Sequence, residues 1–112
     1  MRFILSLFLG LFAACFCSFY VVLAQEVDLD AGQQVFVQNC AACHSGGENS
    51  VNPIKTLKLE DLNKYGKDTV DKIIYQVENG AGAMPAFSER LSGEEISSVA
   101  NFVLSQAKNN SW

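Results

Sequence analysis

The sequence predicts an all-α domain built from about four short helices. Three observations carry that prediction. Apolar residues recur at helical spacing in several separate stretches of the chain. No run alternates apolar and polar residues for the length of a strand. Capping residues and glycines fall at the ends of the helical stretches. A chain of 112 residues is the size of one domain.

The first segment reads as separate from that domain. Met1-Arg2 is a short basic start, Phe3 to Ala24 carries no charge, and Gln25-Glu26-Val27-Asp28 follows at once. Val22-Leu23-Ala24 offers the short residues that a signal peptidase reads, so residues 1–24 are expected to be a cleaved signal peptide and 25–112 the mature domain. The apolar run is long enough to span a bilayer if it stays uncut, so an uncleaved anchor is the rival reading. No permanent membrane anchor is expected. Phe12-Ala13-Ala14-Cys15 matches a lipoprotein site only poorly.

Asp28 or Asp30 can cap a first helix running to about Asn39, with Leu29, Val35 and Phe36 on its apolar side. Gly32 lies inside it, where glycine costs stability; a close helix crossing would explain it, simple tolerance is the bland alternative. Ser45 to Thr56 is polar and glycine-containing, hence loop. A brief helix is expected around Leu59–Asn63. A better one begins at Asp68, with Val70, Ile73, Ile74 and Val77 on one face and Gly80 as the stop. Ser92-Gly93-Glu94-Glu95 is a capping box, and Ile96, Val99, Ala100, Val103 and Leu104 keep helical spacing to about Ala107. Asn109-Asn110-Ser111 matches a glycosylation sequon, too short a pattern to carry weight.

The chemistry sits between the first two helices. Cys15 and Cys17 belong to the leader, which leaves Cys40 and Cys43, and His44 is the only histidine. Cys40-Ala41-Ala42-Cys43-His44 is the attachment pattern of heme c. The two thiols add to the two heme vinyl groups, and the adjacent imidazole reaches the iron. A thioredoxin-like disulfide is one rival, but no βαβ pattern surrounds the motif. A zinc site is another, and it lacks a fourth Cys or His ligand. The sixth ligand of an electron carrier is commonly methionine. With Met1 lost in the leader, Met84 is the only candidate, in Asn79-Gly80-Ala81-Gly82-Ala83-Met84-Pro85-Ala86-Phe87. A lone methionine is ordinarily core filler. Here it follows a glycine-rich turn on a chain with a heme motif. Two strong protein ligands leave no open iron position, so the sequence reads as a carrier and not an enzyme. Each helix is too short to be stable alone, and one covalently bound heme c per chain supplies the missing apolar surface.

Charge narrows the partners. Eight Lys and Arg against 12 Asp and Glu give −4, and loss of Arg2 with the leader makes it −5. That excludes a phosphate-backbone binder, so no nucleic acid is expected. Acids cluster at Glu60-Asp61, at Asp68 with Asp71, and at Glu94-Glu95, candidates for steering toward a basic partner.

The ordered set Asp28-Leu29-Asp30-Ala31-Gly32, the Cys40–His44 motif, Tyr75-Gln76-Val77-Glu78-Asn79-Gly80, Ala83-Met84-Pro85-Ala86-Phe87, Ala100-Asn101-Phe102-Val103-Leu104 and Trp112 resembles the cytochrome c6 (cytochrome c-553) family. The resemblance spans nearly all of the mature chain. It implies the class I cytochrome c fold, and a carrier in the thylakoid lumen of an alga or cyanobacterium. Its partners would be cytochrome f of the cytochrome b6f complex and photosystem I. It assigns Cys40 and Cys43 to the heme, His44 and Met84 to the iron, and the Pro53 carbonyl to the His44 ring. Gln76 would lie beside the heme and tune its potential, helices one and four would cross at Gly32, and Arg90 would help docking. One departure stands out: the family's Ala-Phe-Gly-Gly-Arg-Leu reads Ala86-Phe87-Ser88-Glu89-Arg90-Leu91 here. A bacterial carrier feeding a terminal oxidase, and a heme peroxidase, are the alternatives.

Overall fold

The computed structural model describes residues 29–112. The expected signal peptide over 1–24, its junction with residue 25, and Asp28 as a cap lie outside them. Among the described residues five α-helices form: α1 over residues 29–39, α2 over Ala41–His44, α3 over Leu59–Lys64, α4 over Val70–Asn79 and α5 over Gly93–Asn109, with a 3-10 turn at Ser45–Gly47. Among the described residues there is no strand, only one bridge between Ala81 and Met84.

The all-α expectation therefore holds, with one more helix than expected. The extra element is α2, the Cys-x-x-Cys-His motif itself. Only Cys40 separates it from α1; the Cys40 N–H still reaches Phe36 O at 2.8 Å while its φ of −117° bends the chain. Asp30 lies inside the helical span, so it is not the cap, and Leu29 is exposed rather than on the apolar face.

Helix α5 is the spine of the domain. Ile96, Val99, Ala100, Val103, Leu104 and Ala107 are buried along one side, the stripe that its sequence spacing gives. The Ser92 capping box makes both of its bonds: Glu95 N–H donates to Ser92 Oγ (3.1 Å) and Ser92 N–H to Glu95 Oε1 (3.0 Å). The helix runs two residues past Ala107. It ends where Asn110 turns left-handed at φ 50° and Ser111 N–H closes on Gln106 O at 3.0 Å.

Helix α4 packs on α5 through Ile73 and Val77. Its cap is Thr69 and not Asp68: Thr69 Oγ1 accepts from Lys72 N at 3.3 Å, and the Asp68 carboxylate instead pairs with Lys72 Nζ at 3.3 Å. The residue directly before the first helical one has the geometry to cap, and Asp68 is one position too early. Short α3 buries Leu62 and also touches α5. Its Asp61 reaches back to the preceding loop, where Oδ2 accepts from Thr56 Oγ1 (2.6 Å) and Thr56 N (3.0 Å).

Helix α1 crosses α5 at Gly32. A Cβ there would collide with the Ser98 carbonyl oxygen and stand 2.8 Å from Phe102 Cβ. Close crossing, not tolerance, explains this glycine. Beside the crossing, the Phe36 and Phe102 rings lie 5.5 Å apart, and Trp112 packs on both, at 5.4 Å from Phe36 and 6.2 Å from Phe102. All of this belongs to one core.

Two predictions follow from this packing. Gly32→Ala must push the helices apart against a backbone atom, and overpacking of this kind costs roughly 1–3 kcal/mol. The melting temperature should fall by roughly 4–8 °C for each of those kcal/mol. An unchanged melt would show that the crossing yields without cost. Asp61 is held below its ordinary value of 3.8, chiefly by the Thr56 hydroxyl and then by the Thr56 amide. A lowered folded-state value stabilises the fold above 3.8 and loses that contribution as the pH falls through it. The stability gap between the natural chain and Asp61→Ala should thus narrow in acid, whereas parallel melting curves from neutral pH to pH 3 would contradict this role.

Candidate functional site

The motif begins where α1 ends. Cys40 is the residue before α2 and Cys43 lies three on, so the helical turn puts both sulfurs on one side. Both are free thiols. Cys40 is half-buried and Cys43 exposed, and burial pushes the Cys40 thiol up from 9.0 to about 11. Among the described residues no three His, Cys, Asp or Glu side chains gather as a metal site. The helical surroundings give the thioredoxin-like reading no βαβ frame.

His44 is half-buried, and its Nδ1 lies 3.0 Å from the Glu48 carbonyl oxygen. A carbonyl only accepts, so Nδ1 carries the proton and Nε2 keeps its lone pair for a metal. Pro53, to which the resemblance assigns this role, is exposed further along the loop. Between the motif and Glu48 the chain turns at Gly46 and Gly47, which take φ of 65° and 75°. Ser50 N–H then donates to Cys43 O at 3.0 Å and holds that turn against the motif.

Met84 comes from a tight hairpin. Ala81 N–H donates to Met84 O (3.2 Å) and Met84 N–H to Ala81 O (3.0 Å), with Gly82 at φ 57° in the turn. Gly80, at φ 66°, has no room for a side chain, because a Cβ would strike the Met84 carbonyl and stand 2.8 Å from Ala86 N. The returning chain then ties to the end of α4, where Phe87 N–H donates to Val77 O at 2.9 Å and buried Phe87 packs in the core. That bond satisfies a carbonyl the helix end leaves open. Met84 itself is half-buried against the same core as Cys40 and Ala41.

Gln76 points to this methionine. It is half-buried on α4, and its Nε2–H donates to Met84 Sδ at 3.9 Å. The Ser88-Glu89 departure leaves the next turn intact: Arg90 N–H and Leu91 N–H both donate to Phe87 O, at 3.0 and 2.9 Å. Neither Ser88 nor Glu89 needs a positive φ, so the missing glycines cost the backbone nothing. Arg90 lies 5.7 Å from the Phe87 ring centroid and is exposed.

Charge around the site divides into committed and free acids. Asp61 binds Thr56, Asp68 pairs with Lys72 and Glu95 serves the capping box, which leaves Glu60, Asp71 and Glu94 of the six clustered acids. Large apolar side chains are exposed at Val51, Ile54 and Tyr75, close in sequence to the motif loop and to Gln76. No helix among the described residues is long and apolar enough to cross a membrane.

Comparison with known proteins agrees with this geometry. Residues 27–103 match the family described as Cytochrome C oxidase, cbb3-type, subunit III. A cytochrome c6 of Microcystis aeruginosa is 61% identical over 77 residues, 69% of this chain and 95% of the relative. One from Pyropia yezoensis is 50% identical, over 81% of this chain and 86% of the relative. The solved cytochrome c6 of the diatom Phaeodactylum tricornutum superposes with a TM-score of 0.73 at 51% identity, covering 75% of this chain and 98% of that one.

Proposed function

The chain belongs to the cytochrome c6 family, and from that premise we propose that it is a monoheme carrier taking electrons from cytochrome f of the cytochrome b6f complex to photosystem I. Its place would be the thylakoid lumen, reached by cleavage of residues 1–24. The observation that carries the reading is the donor set: two thiols on one side of α2, a His44 ring with Nε2 left free, and the Met84 thioether under the Gln76 amide. Heme c fits such a set in number and type of ligand. When bound, it supplies a reversible one-electron couple.

The residues would divide the work as follows. Cys40 and Cys43 would hold the heme by thioether bonds. His44 Nε2 and Met84 Sδ would hold the iron, and two strong protein ligands suit an electron carrier rather than an enzyme. Glu48 O fixes the tautomer and orientation of the His44 ring. Gln76 turns the positive end of an N–H dipole toward Met84, which disfavours the more positive, oxidised state. Val51, Ile54 and Tyr75 are suited to an apolar contact rim, small enough for a partner to leave quickly. The free acids would steer the approach to a basic patch. A carrier feeding a terminal oxidase remains the second reading, favoured by the description of the matching family model; the 61% identity to a cytochrome c6 outweighs it.

Reduction of photosystem I by the purified holoprotein is the direct test. After a flash, the second-order rate should fall as salt rises, and Glu60→Lys should flatten that dependence. Glu60 is the residue to reverse, because Asp61 also anchors Thr56. No reduction of photosystem I would sink the assignment of partner, and a rate flat or rising with salt would sink steering by opposite charge. Mass spectrometry of the mature chain should show one heme that survives acid-acetone extraction; an apoprotein mass would defeat the covalent reading.

Gln76→Val should lower the midpoint potential while leaving the visible spectrum nearly unchanged, since it removes a dipole and no ligand. Equal midpoints in a redox titration of the two proteins would assign Gln76 no part in setting the potential.

A further inference from the structure

We propose that Trp112 is a positioning residue for the His44 imidazole, acting through the loop between Gly47 and Leu57 and not by touching the ring. This rests on the reading of His44 as the iron ligand.

The orientation of His44 depends on where the Glu48 carbonyl stands, 3.0 Å from Nδ1. The residue before it, Gly47, is buried at φ 75°, and the Trp112 indole occupies the space a side chain would fill: a Cβ on Gly47 would lie 2.6 Å from Trp112 Cδ2. The same indole donates from Nε1 to Leu57 O at 3.2 Å, while Leu57 N–H donates to Gly47 O at 2.8 Å. Gly47 and Leu57 are therefore tied to each other and both to one side chain. That side chain is itself fixed by Phe36 and Phe102 at the α1–α5 crossing.

Ser50 N–H ties the loop to Cys43 O at 3.0 Å and Glu48 N–H bonds Ser45 O at 3.3 Å, restraints local to the motif, and the remaining contacts do not link the loop to the α1–α5 crossing. Asn49 binds Lys55 O and the amides of Val51 and Asn52, which shapes the loop but links it to nothing outside. Lys58 pairs with the Glu48 carboxylate at 2.8 Å, yet both side chains are more than half exposed, and such pairs hold weakly. Neither reaches Gly47. Trp112 places the rigid crossing behind the peptide that aims His44. The plain alternative is that Trp112 only fills the core.

The two roles separate in the reduced holoprotein by proton NMR, through exchange of the His44 Nδ1–H with solvent. Trp112→Ala should speed that exchange about tenfold, the effect expected when one hydrogen bond and its packing no longer restrain a local opening. Trp112→Phe keeps a ring on Gly47 but loses the N–H, and should give a smaller acceleration. Val99→Ala removes methyl groups from the interior of α5, where Val99 is 1% exposed, and serves as the comparison for general loss of stability. It should leave the exchange close to that of the natural chain. If Trp112→Ala or Trp112→Phe exchanges no faster than Val99→Ala at matched loss of melting temperature, Trp112 is core filler and the proposal is wrong. The parent reading is checked in the natural chain alone: His44 ring protons without the ring-current shift of a bound heme would overturn the ligation and the inference together.

Discussion

The approach of α1 to α5 at Gly32 is the constraint on which the rest of the molecule depends. With no side chain between them, the Ser98 carbonyl and Phe102 Cβ come against the α1 backbone. That contact fixes the direction in which α1 delivers Cys40, and hence α2 and both thiols. It also brings the Phe36 and Phe102 rings together with room for Trp112 on top. The loop carrying Gly47 and Glu48 then has an indole to rest on, and the His44 ring a fixed carbonyl to face. A missing methyl group at residue 32 thus reaches the imidazole at residue 44 through ring packing and the hydrogen bonds of the loop.

The second half of the site is held independently. Helix α4 rests on α5 through Ile73 and Val77, and the chain after Gly80 folds back on its end through Phe87. Gln76 and Met84 meet because one leaves α4 a turn before its end and the other sits in the hairpin that caps it. Each of the two ligand candidates therefore has its own support, and both supports trace to α5. Such division suits a carrier that must change oxidation state without rearranging, since fixed dipoles need not reorganise when the charge changes.

The features legible in the sequence were those written in side-chain identity. The Cys40–His44 spacing, the capping box at Ser92 and the apolar stripe of α5 each name their residues, and the structure keeps them. What was not legible lies in backbone groups or in competition between neighbours. A carbonyl carries no letter, so the Glu48 oxygen facing His44 was not legible; the nearest trace is the Gly46-Gly47 pair, whose positive φ values turn the chain just before Glu48. Thr69 displaced Asp68 as the α4 cap, because either type caps well and only the exact helix start decides. The contact of Trp112 with Leu57 spans 55 residues of sequence and leaves no local trace.

The acids carry the same lesson into function. In the sequence, Glu60-Asp61, Asp68 with Asp71, and Glu94-Glu95 look like three equivalent patches. In the fold each patch has one member bound to a local partner: Asp61 to Thr56, Asp68 to Lys72, Glu95 to the Ser92 amide. A carboxylate that accepts from a neutral group, such as Asp61 or Glu95, keeps its full charge and still adds to the long-range field, whereas one paired with lysine, such as Asp68, is largely cancelled. The steering field and the local bonds are therefore separable properties of the same residues. Six acids contribute to folding or to field in different proportions, and only those free of local bonds report on the field alone when their charge is reversed. Glu60, Asp71 and Glu94 meet that condition, so a docking face is to be sought among them first.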